Sequence, residues 1–160
     1  MSEPRWLSDA EQQAWRKLAA MTILLPSALE AQLQRDADLT HFGYWVLAML
    51  SEAPGRALRM SELAARSNAS LSRLSHVVGR LEERGWVRRE RTPDDRRGSL
   101  AVLTGPGWDK VVASAPGHVE RVRELVFDAL TPEQVAQLCD IAGNVLERLD
   151  PDHHTHRPYP

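Results

Sequence analysis

The sequence predicts a mainly α fold that carries one small β-hairpin. Three observations lead there. Apolar residues recur at helical spacing over most of the 160 residues. Between residues 86 and 103 that spacing gives way to two short extended stretches around a turn rich in Pro, Asp and Gly. Charge is segregated in the same way: residues 1–55 hold 4 basic and 7 acidic side chains, residues 56–97 hold 11 and 6, and residues 98–160 hold 5 and 9. An overall charge of −2 thus hides a central segment at +5, all of it arginine.

The first helix opens at Ser8 with Glu11 three positions on, a capping box. It is expected to run from Asp9 to about Arg35, with an apolar face of Trp15, Leu18, Met21, Thr22, Leu25, Leu29 and Leu33, and to kink or split at Pro26. Thr40 opens a second helix over residues 41–51, which buries Phe42, Trp45, Val46, Met49 and Leu50 before the Ala53-Pro54-Gly55 stop. Leu58 and Met60 suggest a very short strand. Ser61 is the expected cap of a third helix, 62–66, and Ser67-Asn68-Ala69 turns the chain into a fourth, 71–84, capped by Ser70 and closed by Gly85. Two short helices joined by so few residues, the second with a polar face, form a helix-turn-helix pattern.

Strands are expected over 86–92 and 99–103, with 93–98 as the turn. Thr104 caps a long helix beginning near Pro106, which Pro116-Gly117 should break or bend. Thr131-Pro132-Glu133-Gln134 opens the last helix, whose wide apolar face includes Leu138, Ile141, Val145 and Leu149. Asp150-Pro151 ends it. The resulting organisation is residues 1–55 as N-terminal helices, 56–104 as a compact reading module, 105–150 as C-terminal helices, and 151–160 as a disordered tail.

On the fourth helix, Leu71, Leu74, Val77, Val78 and Leu81 share one face. Ser72, His76 and Gly79 lie nearly opposite, with Arg73 and Arg80 on one flank and Ser75 on the other. The first three turns carry no carboxylate, and the glycine leaves room for a close approach. A short polar helix followed by an arginine-rich hairpin suits reading of a DNA groove. Arg73 has the donors to take guanine O6 and N7 together. The bland alternative is a solvated charged surface. The rival function is a winged helix used to bind protein, which has no need of the arginine excess.

Other classes find little support. No apolar run is long enough to span a membrane, and no signal peptide is evident at the N-terminus. There is no Gly-rich phosphate loop, no Cys/His metal spacing on an ordered element and no nucleophile placed beside a base, so no enzyme and no cofactor is expected. Cys139 is the sole cysteine; it fits a reducing cytoplasm and reads as a buried, inert thiol. His153, His154 and His156 sit among prolines in the tail, so adventitious metal affinity is the simpler reading, with a metal-responsive regulator as an alternative.

The chain resembles the MarR family of bacterial transcriptional regulators over nearly its whole length. The residues that carry the likeness are Met60-Ser61-Glu62-Leu63-Ala64, Leu81-Glu82-Glu83-Arg84-Gly85-Trp86-Val87-Arg88-Arg89, Asp94-Asp95-Arg96-Arg97-Gly98 and Leu103-Thr104-Gly105-Pro106-Gly107. The resemblance implies a winged helix-turn-helix in a homodimer built by helices from both termini. It implies binding to double-stranded DNA at pseudo-palindromic operators, usually as a repressor. By position it places Ser70, Ser72, Arg73, Ser75 and His76 at the major groove. It puts Arg97 in the minor groove, oriented by Asp95; Arg97 held by that ion pair alone is the alternative. Ser61, Arg80 and Arg96 complete the set expected to touch DNA. The resemblance also implies a cleft for small aromatic anions that release DNA. Trp15, His41, Tyr44 and Trp45 lie near its expected place, with ordinary core and dimer packing as the alternative.

Overall fold

The computed structural model describes residues 3–92 and 95–155, with the side chains of 92–97 outside that description. Helix α1 (Asp9–Ala37) opens with the Ser8–Glu11 capping box and ends at Asp38 in the left-handed region, φ 50°. It runs through Pro26 as one helix, so the expected split does not occur. Proline frees the carbonyl four residues back, here that of Thr22, an exposed position where water can take the bond.

Helix α2 (His41–Glu52) is capped by Thr40, whose hydroxyl accepts from the Gly43 N–H. Its buried side is Tyr44, Val46, Leu47, Met49 and Leu50. Trp45, expected in that face, is instead 44% exposed, and Phe42 is half-buried. Strand β1 (Ala57–Arg59) ends before Met60, which starts α3 (Met60–Arg66). The helix therefore begins two residues earlier than Ser61 suggested; Arg59 holds the cap position and makes no side-chain capping bond. Asn68, at φ 47°, turns the chain into α4 (Leu71–Glu83), where the Ser70 hydroxyl accepts from the Arg73 N–H. Gly85, at φ 73°, supplies the conformation that ends it.

Strands β2 (Val87–Thr92) and β3 (Asp95–Leu103) form an antiparallel hairpin, and β1 adds to the far side of β3. β3 is longer than expected. Arg91 faces Ser99 but Thr92 faces Asp95, so residues 96–98, expected in the turn, are a bulged part of the strand. Pro93 and Asp94 lie outside the described residues. Helix α5 (Gly105–Leu125), capped by Thr104, continues through Pro116 without the expected break; the freed carbonyl is that of exposed Val112. Gly107 lets this helix start against the hairpin, because a Cβ there would collide with the Trp86 carbonyl. Helix α6 (Pro132–Leu149) follows, opened by the Thr131–Gln134 capping box. Of the tail expected to be disordered, Pro151 to Thr155 form a turn in which the Asp150 carboxylate accepts from the His154 and Thr155 N–H groups. Residues 156–160, His156 among them, lie outside the description.

The core sits where α2, α3, α4 and the sheet meet. Val46, Leu47, Leu50, Leu63, Leu74, Val78 and Val87 are its largest fully enclosed side chains, joined by Leu33 of α1. Helix α5 packs on α1 and α2 through Val111 and its neighbours. Helix α6 has no fully buried residue; Leu138 and Leu146 are half-buried and most of its other side chains are exposed. Cys139, expected to be buried, is exposed for that reason. Among the described residues no helix is long and apolar enough to cross a membrane.

Candidate nucleic-acid interface

Helix α4 is positioned by one face and presents the other. Leu74, Val78 and Leu81 anchor it in the core. Leu71, expected to share that stripe, is 56% exposed. Ser72, Arg73, His76 and Arg80 are exposed along the opposite side, and Ser70 is exposed at the cap. Ser61 is exposed near the start of α3. It lines a groove of about 380 Å³ with Arg59, Leu71, Ser75, Arg89 and Ser99, between the two helices and the hairpin.

Ser75 is half-buried and already in contact with the hairpin, with its own O–H left to donate. Its hydroxyl accepts from Arg89 Nη1 at 3.3 Å, and Arg89 Nε donates to Glu82 at 3.1 Å. The space left by Gly79, which the sequence offered to an incoming partner, is taken by the same arginine. The hairpin is thereby tied to α4 by its own chain. Arg89 escaped the sequence reading because strand and helix meet only on folding.

Much of the central positive charge is matched locally. Arg66 pairs with Glu62, Arg84 with Asp38, Arg88 with Glu90 and Arg89 with Glu82, all within 3.1 Å. Arg56 lies over the Trp108 ring at 3.7 Å. Arg73 lies over Phe42, with its guanidinium carbon 4.4 Å from the ring centroid. Among the described residues neither Arg73 nor Arg80 has a carboxylate partner, so the outer face of α4 keeps its positive charge. Asp95, Arg96 and Arg97 are on β3 by backbone, but their side chains lie outside the described residues.

A second cluster lies where α1, α2 and α5 join. The His118 ring of α5 sits 4.5 Å from Tyr44 and 5.9 Å from His41, centroid to centroid. Burial holds His41 below the ordinary histidine value, against the opposing pull of Glu30. His118 is lowered by burial and then by His41, and Tyr44 is raised by burial and then by Glu52. Gln32 Oε1 and His118 Nδ1 are buried without a hydrogen-bond partner among the described residues. Of the ligand residues expected from sequence, His41 and Tyr44 meet here. Trp15 and Trp45 are about half exposed and lie outside the ring cluster. His118 and Gln32 were missed; only the crossing of α5 over α1 and α2 reveals them. Among the described residues no group of three His, Cys, Asp or Glu side chains could hold a metal ion.

The sequence model described as the MarR family matches residues 38–98. The crystal structure of Sco3205, a MarR family transcriptional regulator from Streptomyces coelicolor in complex with DNA, is 50% identical with a TM-score of 0.88, covering 92% of each chain. That of AbsC, a MarR family regulator from the same organism, is 42% identical with a TM-score of 0.86, covering 91% of this chain and 98% of its own. The HTH-type transcriptional regulator YdcH of Bacillus subtilis is 34% identical over 96 residues, 59% of this chain; the match spans 65% of that protein's length.

Proposed function

The chain belongs to the MarR family, and from that membership we propose that it is a DNA-binding transcriptional regulator, a repressor that sits as a homodimer on a pseudo-palindromic operator in the bacterial cytoplasm. The observation that carries this reading is the outer face of α4. Ser72, Arg73, His76 and Arg80 stand exposed on one side of a helix fixed by a buried stripe, and no carboxylate precedes Glu82. The relative bound to DNA supports it at 50% identity.

In this reading α4 enters the major groove. Arg73 donates to guanine O6 and N7, while Ser70, Ser72, Ser75, His76 and Arg80 meet nearby bases and phosphates. Arg97 enters the minor groove, oriented by Asp95, and Arg96 and Ser61 contact the backbone. Two copies present two such helices about one DNA turn, ~34 Å, apart. The exposed apolar side chains of α1 and α6, among them Leu18, Met21, Ile141 and Leu149, support pairing through the terminal helices. A small aromatic anion held near His41, Tyr44 and His118 releases the DNA.

The test is selection of duplexes from a random pool, then titration of the winner and of a scrambled duplex at several salt concentrations. The expected result is tight binding of the selected duplex, with affinity for both falling steeply as salt rises, by about 0.9 log unit per log unit of salt for each phosphate contact. Equal affinity for both duplexes, or none, would overturn the reading.

A further inference from the structure

We propose that Phe42 is a positioning residue for DNA reading: its ring holds the Arg73 guanidinium ready for the base edge. The inference rests on the reading of α4 as the groove-entering helix. Phe42 is on α2, which makes no other part of that face. It is half-buried and packed against the core, so the ring has a fixed seat. Thr40 caps α2 two residues before it, and one contact sets that seat relative to α4. Gly43, next in sequence, is buried close to the Leu81 side chain of α4. Arg73 is equally well fixed by its backbone, whose N–H donates to the Ser70 hydroxyl at 3.2 Å.

Arg73 has a ring and, among the described residues, no carboxylate, unlike four of the neighbouring arginines. Arg66, Arg84, Arg88 and Arg89 give their N–H groups to carboxylates. A ring attracts a guanidinium lying over it without offering a lone pair for its N–H groups, so the donors stay available. The ring brings no acceptor to compete with guanine and no charge to cancel. Phe42 thus restricts a long, flexible side chain without consuming the bonds that read sequence.

The experiment compares Phe42→Leu, Phe42→Tyr and Arg73→Ala, singly and with Phe42→Leu combined with Arg73→Ala, on the selected and scrambled duplexes, with thermal unfolding of each variant. Phe42→Leu keeps an apolar side chain in the seat but removes the π face. It should weaken the selected duplex about three- to tenfold, leave the scrambled duplex unchanged, and lose its effect when Arg73 is already alanine. Phe42→Tyr restores the ring and should bind as the parent does. Equal weakening of both duplexes, an undiminished effect in the Arg73→Ala background, or no effect of Phe42→Leu beside a clear loss in Arg73→Ala would each overturn the proposal. Wild-type binding by Arg73→Ala would instead overturn the reading of α4 on which it rests.

Discussion

Arg89 lies across Gly79: a Cβ added to that glycine would stand 3.1 Å from the Arg89 Nη2. The arginine is held there by Glu82 and Ser75, so helix α4 carries a glycine in its interior to admit a strand side chain. Glycine inside a helix costs about 0.8–1 kcal/mol relative to alanine. Gly79→Ala should therefore stabilise the Arg89→Ala variant by about that amount. In the presence of Arg89 the gain should be smaller, because the guanidinium must shift to make room. Urea unfolding of the four proteins in the cycle measures the difference; identical gains in both backgrounds would show that Arg89 does not use the space.

The stripe on α4 separates by energy. Leu74 is 0% exposed and enclosed by the core, whereas Leu71 is more than half exposed. Leu74→Ala should cost about 2–5 kcal/mol, the range for buried leucine truncations. Leu71→Ala should lie within about 0.5 kcal/mol of the parent. Denaturant midpoints distinguish them, and a large loss at Leu71 would mean that its first turn is covered in solution.

Helix starts were the most legible part of the sequence because a cap is local. Ser8, Thr40, Ser70, Thr104 and Thr131 each sit at the predicted boundary and accept a bond from an N–H three residues on. The outer face of α4 was legible for a similar reason, since its periodicity fixes which residues oppose Leu74 and Val78. Neither Pro26 nor Pro116 breaks its helix, because the effect of proline depends on whether the carbonyl it frees can reach water. Ser61 misled because capping preference could not reveal that β1 ends before Met60. The long-range contacts were illegible. Ser75 and Arg89 are 14 positions apart, and His41 meets His118 only because α5 crosses α2. Nothing in spacing reports such meetings.

The His41–His118 pair gives stability a pH dependence of defined sign. Both imidazoles are held below the ordinary value of about 6.5, chiefly by burial. The unfolded chain therefore takes up protons first as the pH falls. The pair's contribution is complete above that ordinary value and is lost progressively as the pH drops toward the lowered folded values. Urea midpoints should fall between pH 7 and pH 5, and His118→Gln should flatten the decline. His41→Gln should also reduce the residual effect of His118, since His41 is one cause of its lowering. A steeper decline in His118→Gln would reverse the assigned sign.

The apolar face of α6 sets the last test. Ile141 is 62% exposed and Leu149 74% exposed, and no residue of the helix is buried within the chain. Exposed patches of this kind mark association surfaces. If that face pairs two copies, Ile141→Asp places an unpaired charge inside the interface while leaving the core around α2 to α4 untouched. Sedimentation should then shift from twice the 18.0 kDa chain mass toward a single chain. Operator affinity should fall about 10²–10⁴-fold, because two tethered half-site contacts become one. Affinity for the scrambled duplex should fall much less, and thermal unfolding should become independent of protein concentration. A variant that still sediments as two chains and binds the operator as before would place the pairing surface elsewhere. A parent protein that sediments only at 18.0 kDa would remove the homodimer from the proposal altogether.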